Sequence, residues 1–246
     1  MKETIYTIPV TEAFCECGEG DCPFCIMYNK LDENSIDFVM GPSYMEEDVR
    51  METNKTGFCG SHMAAMYNRS NRLGLALMTH THLMQLNHDL NALLKNLDYD
   101  AKKGLFKKGK KQTAPNETSD YLKKLKDSCY ICDRTNKIFD RYIDTYFYLW
   151  GKNDDFIETA KHCGGFCLNH FFVLLETAEK KLSASDYADF LRITIPLQLN
   201  GLKTLEEDLD WFTKKFDYRN TNEPWRNSKD ALIRGLKKIS SVTVSD

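Results

Sequence analysis

The pattern Gly-Phe-Cys-x-x-His occurs twice in this chain, as GFCGSH at residues 57–62 and as GFCLNH at residues 165–170. A Cys-x-x-Cys pair precedes each copy, CPFC at 22–25 and CYIC at 129–132. The spacing also agrees, because 33 residues (26–58) separate the two motifs in the first case and 34 (133–166) in the second. Two matched sets in the same order indicate an internal duplication, which any fold of this chain has to accommodate.

Further matches extend the duplication around each Gly-Phe-Cys motif. A Glu-Thr-x-Lys sequence precedes both copies, and Thr-x-x-x-Gln-Leu-Asn follows them at residues 81–87 and 194–200. Each repeat therefore spans well beyond its cysteines and is long enough to form a helical unit of its own.

Between the repeats, residues 101–118 are rich in Lys and have no apolar period. This composition is typical of a solvated connector. No Arg and only one aromatic residue, Phe106, accompany the lysines, whereas nucleic-acid binding would require such residues to be interleaved with them. The sequence predicts an N-terminal helical metal-binding unit (1–100), a linker (101–118) and a C-terminal helical metal-binding unit with an extension (119–246).

Apolar residues recur with helical spacing through most of the chain, for example every three or four residues from Leu83 to Leu97. The expected fold class is all-α, with two duplicated helical units, each pinned by a CxxC…CxxH metal site, and a C-terminal helix from about Pro224 to Leu236. The only plausible extended segment is IYTIPV near the start. Pro196 is predicted to kink or break the long helix that contains it.

The paired cysteines and histidines have the spacing of metal ligands. A Cys-x-x-Cys pair and a Cys-x-x-His pair together supply Cys3His, a standard structural zinc set. Ligand pairs at helix starts are favoured, because free backbone amides and the helix dipole stabilise thiolates there. The sequence predicts one set within each repeat: Cys22, Cys25, Cys59 and His62 in the first, and Cys129, Cys132, Cys167 and His170 in the second.

We expect two zinc ions per chain, with Cys3His iron–sulfur clusters as the alternative. Unliganded buried cysteines and a thioredoxin-like redox pair are the other interpretations. The redox pair requires a βαβ context that this sequence does not predict.

Composition restricts the class of protein. Nine Cys, mostly in such pairs, argue for metal or redox chemistry in a reducing compartment. The net charge of −3 gives no general attraction to nucleic acid, which is not expected as a partner. Without a secretory signal or a long apolar stretch, the chain is predicted to be cytoplasmic and not to enter a membrane.

Several Cys and His residues have no counterpart in the other repeat. Cys15, Cys17 and Cys163 are predicted to be spare thiols, although the first two could replace a ligand or bind a further metal. His162 and Cys163 adjoin the second set and could form its outer shell. The histidines at positions 80, 82 and 88 align with non-ligand residues of the second repeat, which favours solvated or partly packed side chains.

The stretches IYTIPVTEAF, CPFC, GPSYMEEDVRMETNKTGFCGSH, NRLGLALMTHTH, CYIC and GFCLNH resemble an uncharacterised bacterial family known only as a domain of unknown function. The resemblance covers most of the chain and implies the duplicated architecture, but no activity.

The sequence contains no Gly-rich phosphate loop and no hydrolase or metalloprotease motif. It predicts a metal-binding helical protein, a non-enzymatic scaffold or regulatory module with a protein partner. The alternative is a redox or sensor protein, possibly an enzyme, that uses iron–sulfur clusters or reactive thiols.

Overall fold

The computed structural model describes residues 5–18, 20–95 and 116–241. Within these ranges the chain forms eleven α-helices and two 3-10 helices (Pro42–Met45 and Tyr218–Asn220), with no strand. The all-α prediction is confirmed. The α-helices are α1 (Thr7–Glu16), α2 (Pro23–Met40), α3 (Glu47–Thr56), α4 (Gly60–Tyr67), α5 (Arg72–Leu94), α6 (Asn116–Lys126), α7 (Tyr130–Trp150), α8 (Asp154–Lys161), α9 (Leu168–Lys181), α10 (Ala184–Lys214) and α11 (Ala231–Ser240).

All four ligand pairs lie at the start of a helix, as the sequence predicts. Cys22 and Cys129 directly precede α2 and α7, and Cys59 and Cys167 are the N-caps of α4 and α9. Each of these cysteines accepts the amide of the residue four positions later through its carbonyl, at 2.8–3.1 Å. The first cysteine of every pair therefore starts the helix, and the second ligand follows in its first turn.

The chain divides into two compact units. The first comprises Met1–Leu31 and Ile138–Asp246, and the second comprises Asp32–Lys137. The divisions fall inside α2 and α7, so each unit combines parts of both sequence repeats. Most of the predicted linker, residues 101–115, lies outside the described residues, as does Leu97, and the three-segment division of the sequence stays a prediction.

The core of the first compact unit is aromatic and lies directly against two of the ligand motifs. Phe24 of CPFC and Phe166 of GFC are each 1 % exposed, with ring centroids 5.8 Å apart. Phe14 of α1 stacks on Tyr146 of α7 at 5.4 Å, and Phe24 contacts the same tyrosine at 5.2 Å. Burial of a Phe contributes roughly 1.5–3 kcal/mol, so Phe24 and Phe166, each directly before a ligand cysteine, anchor the two motifs in the core.

The core of the second compact unit is smaller and mainly aliphatic. Ile131 of CYIC is fully buried, in the position that Phe24 occupies in CPFC, and it packs with Val39, Met66 and Met78. Phe58 of the first GFC motif is only partly buried against this cluster. The two cores therefore differ in side-chain size although their motifs are repeats.

Two local expectations are wrong, and at Pro196 the break, which is one of the two predicted outcomes, is absent. The segment IYTIPV enters α1 at Thr7, because a proline in the first helical turn costs no hydrogen bond. Helix α10 continues through Pro196 without a break, and α8, α9 and α11 pack along it. The last helix begins at Ala231 rather than near Pro224, since the preceding turn is held to the end of α10 by Trp211, which donates to the Pro224 carbonyl at 2.9 Å.

No helix within the described ranges combines the length and the apolar character needed to cross a membrane.

Candidate metal centres

The eight predicted ligand residues form two Cys3His groups, and in each group the four ligand atoms lie within 4.8 Å of one another. Centre 1 consists of Cys22, Cys25, Cys167 and His170, and centre 2 consists of Cys59, His62, Cys129 and Cys132. The prediction that each repeat holds a centre of its own is therefore wrong. Each Cys-x-x-Cys pair meets the Cys-x-x-His pair of the other repeat.

The two repeats share a difference in helix length. The 18 residues of α2, which begin directly after Cys22, span about 27 Å along the helix axis, whereas the 10 residues of α3 span about 15 Å. The second repeat has the same imbalance, with 21 residues in α7 and 8 in α8. Each Cys-x-x-Cys pair therefore begins a long helix, and each Cys-x-x-His pair follows a short one.

Centre 1 lies in the first compact unit, between the starts of α2 and α9. His170 Nδ1 is 3.6 Å from Cys22 Sγ, 3.4 Å from Cys25 Sγ and 3.1 Å from Cys167 Sγ. Cys25 Sγ is 3.5 Å from Cys167 Sγ. Cys167 is fully buried and Cys22 is 5 % exposed. All four ligand atoms therefore face one point, and His170 presents Nδ1 to it.

Aromatic rings and a hydroxyl surround centre 1. The rings of Phe24, Tyr28 and Phe139 lie 5.2–6.4 Å from the His170 ring and restrict its orientation. Ser241, the C-cap of α11, donates its hydroxyl to Cys167 Sγ at 3.0 Å. The last helix therefore completes the surroundings of this centre.

Centre 2 lies in the second compact unit, between the starts of α4 and α7. His62 Nδ1 is 3.2 Å from both Cys59 Sγ and Cys129 Sγ and 3.4 Å from Cys132 Sγ. Cys59 Sγ is 4.0 Å from Cys132 Sγ and 3.1 Å from the Ser61 hydroxyl. The arrangement repeats that of centre 1, including a hydroxyl beside the first sulfur of the Cys-x-x-His pair.

A carboxylate orients the histidine of centre 2. His62 Nε2 is 2.9 Å from Asp32 Oδ1 on α2. A proton on Nε2 that is donated to Asp32 leaves Nδ1 free as a metal ligand, which is the usual carboxylate–histidine–metal arrangement. Asp32 and Phe139 each follow the first Cys of their repeat by ten residues (22 + 10 and 129 + 10). At equivalent positions of the two repeats, a carboxylate therefore contacts His62 and an aromatic ring contacts His170.

The negative charge of centre 1 is concentrated on Cys167. Hydrogen bonds from Cys22 and Cys25 hold the pKa of the Cys167 thiol well below its usual range. Desolvation and the bond to Cys167 hold the pKa of Cys22 well above its ordinary value, and the bond to Cys167 raises the pKa of Cys25 to about 12. A metal ion that binds all three sulfurs therefore displaces the protons of Cys22 and Cys25.

In centre 2 the pKa is lowered for two of the three thiols, Cys129 and Cys59. The hydrogen bonds to Asp32 and Cys129 raise the pKa of His62 to about 10. Desolvation raises the pKa of Cys129, but hydrogen bonds from His62 and from backbone amides outweigh it and lower the pKa to about 6. Desolvation and the Cys129 thiolate hold the pKa of Cys132 well above its ordinary value.

The glycine of each GFC motif allows the chain to turn into its ligand cysteine. Gly57 has φ 63° and Gly165 has φ 84°, a region that residues with a Cβ rarely adopt. Gln198 of α10, which is 1 % exposed, fixes the second turn by accepting from the Phe166 amide at 2.8 Å and donating to its carbonyl at 3.0 Å. These contacts fix the position of Cys167 from the backbone side.

The other His and Cys residues considered from the sequence lie outside the two groups. His80 and His88 are exposed, whereas His82 is partly buried and bonds the Asn54 carbonyl through Nδ1 at 2.7 Å. His162 bonds the Glu158 carbonyl. Cys15 is exposed, Cys163 is buried and Cys17 donates to the Asp21 carbonyl.

Sequence reasoning missed Asp32, Gln198 and Ser241. Gln198 has a signal in the sequence, because it is the Gln of the Thr-x-x-x-Gln-Leu-Asn motif that both repeats share. The signal for Asp32 is its equivalence to Phe139 in the duplication, and Ser241 has none.

The whole chain, residues 1–246, matches DUF6062, a family of unknown function. No curated protein and no solved structure gives a significant match.

Proposed function

Since the chain belongs to DUF6062, whose function is unknown, we propose its function from the site geometry: a zinc-binding helical scaffold with one structural ion in each centre. The observation that supports this most strongly is the close approach of four soft ligand atoms at two separate points. The role proposed for the metal is to hold the fold in a form that binds a protein partner.

The distances fit a single tetrahedral ion. Zn–S bonds of about 2.3 Å and Zn–N bonds of about 2.0 Å require sulfur–sulfur edges of about 3.8 Å and sulfur–nitrogen edges of about 3.5 Å. Observed sulfur–sulfur separations are 3.5 and 4.0 Å, and sulfur–nitrogen separations range from 3.1 to 3.6 Å. Ligands of an iron–sulfur cluster extend from different iron atoms and lie farther apart, so the geometry favours zinc.

The four-ligand sets favour a structural role. Catalytic zinc sites commonly have three protein ligands and an open fourth position, whereas each centre here offers four. The spare thiols add little support to the redox alternative, because desolvation raises the pKa of Cys17 to about 12 and also raises the pKa of Cys163. Both side chains stay protonated at neutral pH and are poor nucleophiles.

Metal binding would connect segments that are distant in sequence. Cys25 and Cys167 are 142 positions apart, and His62 and Cys129 are 67 apart. An ion that binds only the folded arrangement adds its binding free energy to folding. In this scaffold each chain segment contributes one ligand pair at a helix start, and the bound metal would cross-link the two segments.

Elemental analysis and an absorption spectrum of protein purified without oxygen test the proposal. Two zinc ions per chain and no visible absorption are expected. Iron with sulfide and a broad band near 400 nm (roughly where thiolate-bound clusters absorb) would replace the scaffold proposal with the redox alternative. Removal of zinc by a chelator should broaden or abolish cooperative unfolding.

The protein partner is tested with a variant that cannot bind metal. Cys22→Ala combined with Cys59→Ala removes a ligand from each centre. A defined partner should bind the wild-type chain and lose affinity for this variant. Equal binding to both would show that the metal-held fold is not what the partner recognises.

A further inference from the structure

Lys238 of α11 is a buried cation with few partners. It is 1 % exposed, and its ammonium donates to the Gly164 carbonyl at 2.7 Å. Within the described residues, no carboxylate forms an ion pair with it. An ammonium has three donors, and a buried charge without a counter-charge is strongly unfavourable.

A second buried lysine in the same compact unit shows what a satisfied ammonium requires. Lys215 is 8 % exposed and donates to the carbonyls of Asn220, Thr221 and Glu223 at 2.6–3.0 Å. All three of its donors are used. Among the described residues Lys238 has one such acceptor, the Gly164 carbonyl, so it lacks there the compensation that the fold provides for Lys215.

Centre 1 lies beside Lys238. Lys238 lines a small cavity of about 80 Å³ together with the ligands Cys22 and Cys25 and with Ser241. The carboxylate that lines the same cavity, Asp21, pairs with Lys237 at 3.8 Å. Desolvation lowers the pKa of Lys238, while negative charge on the surrounding cysteines (Cys22, Cys163, Cys17 and Cys167) acts to raise it. Helix α11 and its C-cap therefore bring a hydroxyl to this centre and a cation to the cavity beside it.

The charge of a metal-loaded centre 1 would balance that of the Lys238 ammonium. A divalent ion with three thiolates and a neutral histidine has a net charge of −1, and one ammonium neutralises it. We propose that Lys238 is the charge-compensating residue of a loaded centre 1, and that metal occupancy of this centre thereby fixes α11 against the rest of the first compact unit. This inference rests on the metal-binding role proposed above and extends it to the last helix.

The two centres then differ in outer charge. Centre 2 has a carboxylate, Asp32, bonded to its histidine, whereas centre 1 has an aromatic ring at the equivalent position and a cation on α11. Loss of the Lys238 charge should therefore weaken centre 1 and leave centre 2 unaffected. Centre 2 therefore serves as the internal control for substitutions of Lys238.

Lys238→Gln tests the proposal, because glutamine can still donate to the Gly164 carbonyl but has no charge. In the zinc-loaded full-length chain, metal release to a chelator should become roughly 10- to 100-fold more favourable at one centre. Alkylation, followed by mass spectrometry, should label the cysteines of centre 1 (Cys22, Cys25 and Cys167) and leave those of centre 2 protected. The adjacent Lys237→Gln is the charge-matched control; that side chain is 39 % exposed, so its effect should stay below about threefold.

Two further measurements separate charge compensation from a packing role. Lys238→Met should leave the zinc-free chain equally or more stable while weakening zinc binding, since it removes an uncompensated buried charge; a packing role predicts a loss of both. Amide hydrogen exchange across α11 should rise in Cys22→Ala, which disables centre 1 but keeps the Ser241–Cys167 bond, and stay unchanged in Cys129→Ala, which disables centre 2.

The outcomes are distinguishable from those of the scaffold proposal. Zinc bound at centre 1 with wild-type affinity in Lys238→Gln overturns the role of Lys238 and leaves the scaffold intact. A chain without zinc at centre 1 overturns both.

Discussion

At the scale of single residues, the two centres differ most in what contacts each histidine. Asp32 bonds His62, whereas Phe139 packs against His170 at 5.2 Å. The ligands themselves are equivalent in the two repeats, so this difference acts only on orientation and charge. A carboxylate makes the histidine more basic, and an aromatic ring restricts its rotation without adding charge.

Asp32→Ala should weaken metal binding at centre 2 by roughly 10- to 100-fold, because His62 loses the acceptor that orients its ring. Competition with a chelator measures the effect. Asp37→Ala on the same helix is the control, since that carboxylate is 64 % exposed and pairs only with Arg69 among the ion pairs found. Equal effects of the two changes would show that general charge, and not the bond to His62, is responsible.

Metal binding at centre 1 should release protons. The pKa values of Cys22 and Cys25 are raised, so both thiols stay protonated through neutral pH and an incoming ion has to displace two protons. Apparent affinity should therefore rise with pH, by up to about a hundredfold per unit between pH 6 and 8. Calorimetry in buffers of different ionisation enthalpy counts the protons released. If zinc binding to Cys129→Ala, which retains only centre 1, released no protons, Cys22 and Cys25 would not be the protonated ligands.

At the scale of elements, the same arrangement of two ligands at the start of a helix occurs four times. A cysteine precedes or caps a helix, its carbonyl accepts the first helical bond, and the second ligand follows in the first turn. Local sequence determines this geometry, which is why the helix starts could be predicted. The turns before Cys59 and Cys167 depend in addition on contacts from other helices, and those contacts are not visible in the sequence.

Gln198→Leu should destabilise the turn that leads into Cys167. The change leaves the buried amide and carbonyl of Phe166 without partners, at a cost of about 1–3 kcal/mol each. Chemical denaturation should show a lower free energy of unfolding, and centre 1 should release metal more readily.

Gln85→Leu is the matched control for that change. Gln85 is the equivalent residue of the first repeat, but it is exposed and bonds only Asp89 in the described structure. Its replacement should change stability by less than about 0.5 kcal/mol. If both variants were equally destabilised, loss of the hydrogen bonds between Gln198 and Phe166 would not be the cause.

At the scale of the whole molecule, the exchange of ligand pairs makes the repeats interdependent. The first compact unit takes its Cys-x-x-Cys pair from the first repeat and its Cys-x-x-His pair from the second. A change in one repeat therefore disables a centre that also belongs to the other. Cys59→Ser should release one metal per chain and destabilise mainly the second compact unit, and Cys167→Ser should do the same to the first.

Paired variants test the exchange directly. Cys22→Ala with Cys167→Ala removes two ligands from one centre and should leave one metal per chain. Cys22→Ala with Cys59→Ala removes one ligand from each centre and should leave none. Elemental analysis of both variants decides the matter, because pairing within each repeat requires the opposite result.

The sequence alone determined the all-α class, the duplication and the helix starts that present the eight ligand residues. These features follow from local periodicity and from spacing, which do not depend on distant parts of the chain. The family resemblance is likewise a property of the motifs and is confirmed by the match over residues 1–246.

Only the tertiary structure decided how the ligands divide between the centres and which residues surround them. Spacing permits pairing within or between the repeats, and the folded chain pairs them between the repeats. Asp32 and Ser241 reach the centres, and Lys238 lines the cavity beside centre 1, because residues distant in sequence pack there. Contacts of this kind depend on where packed helices place their side chains, and no local pattern in the chain encodes that.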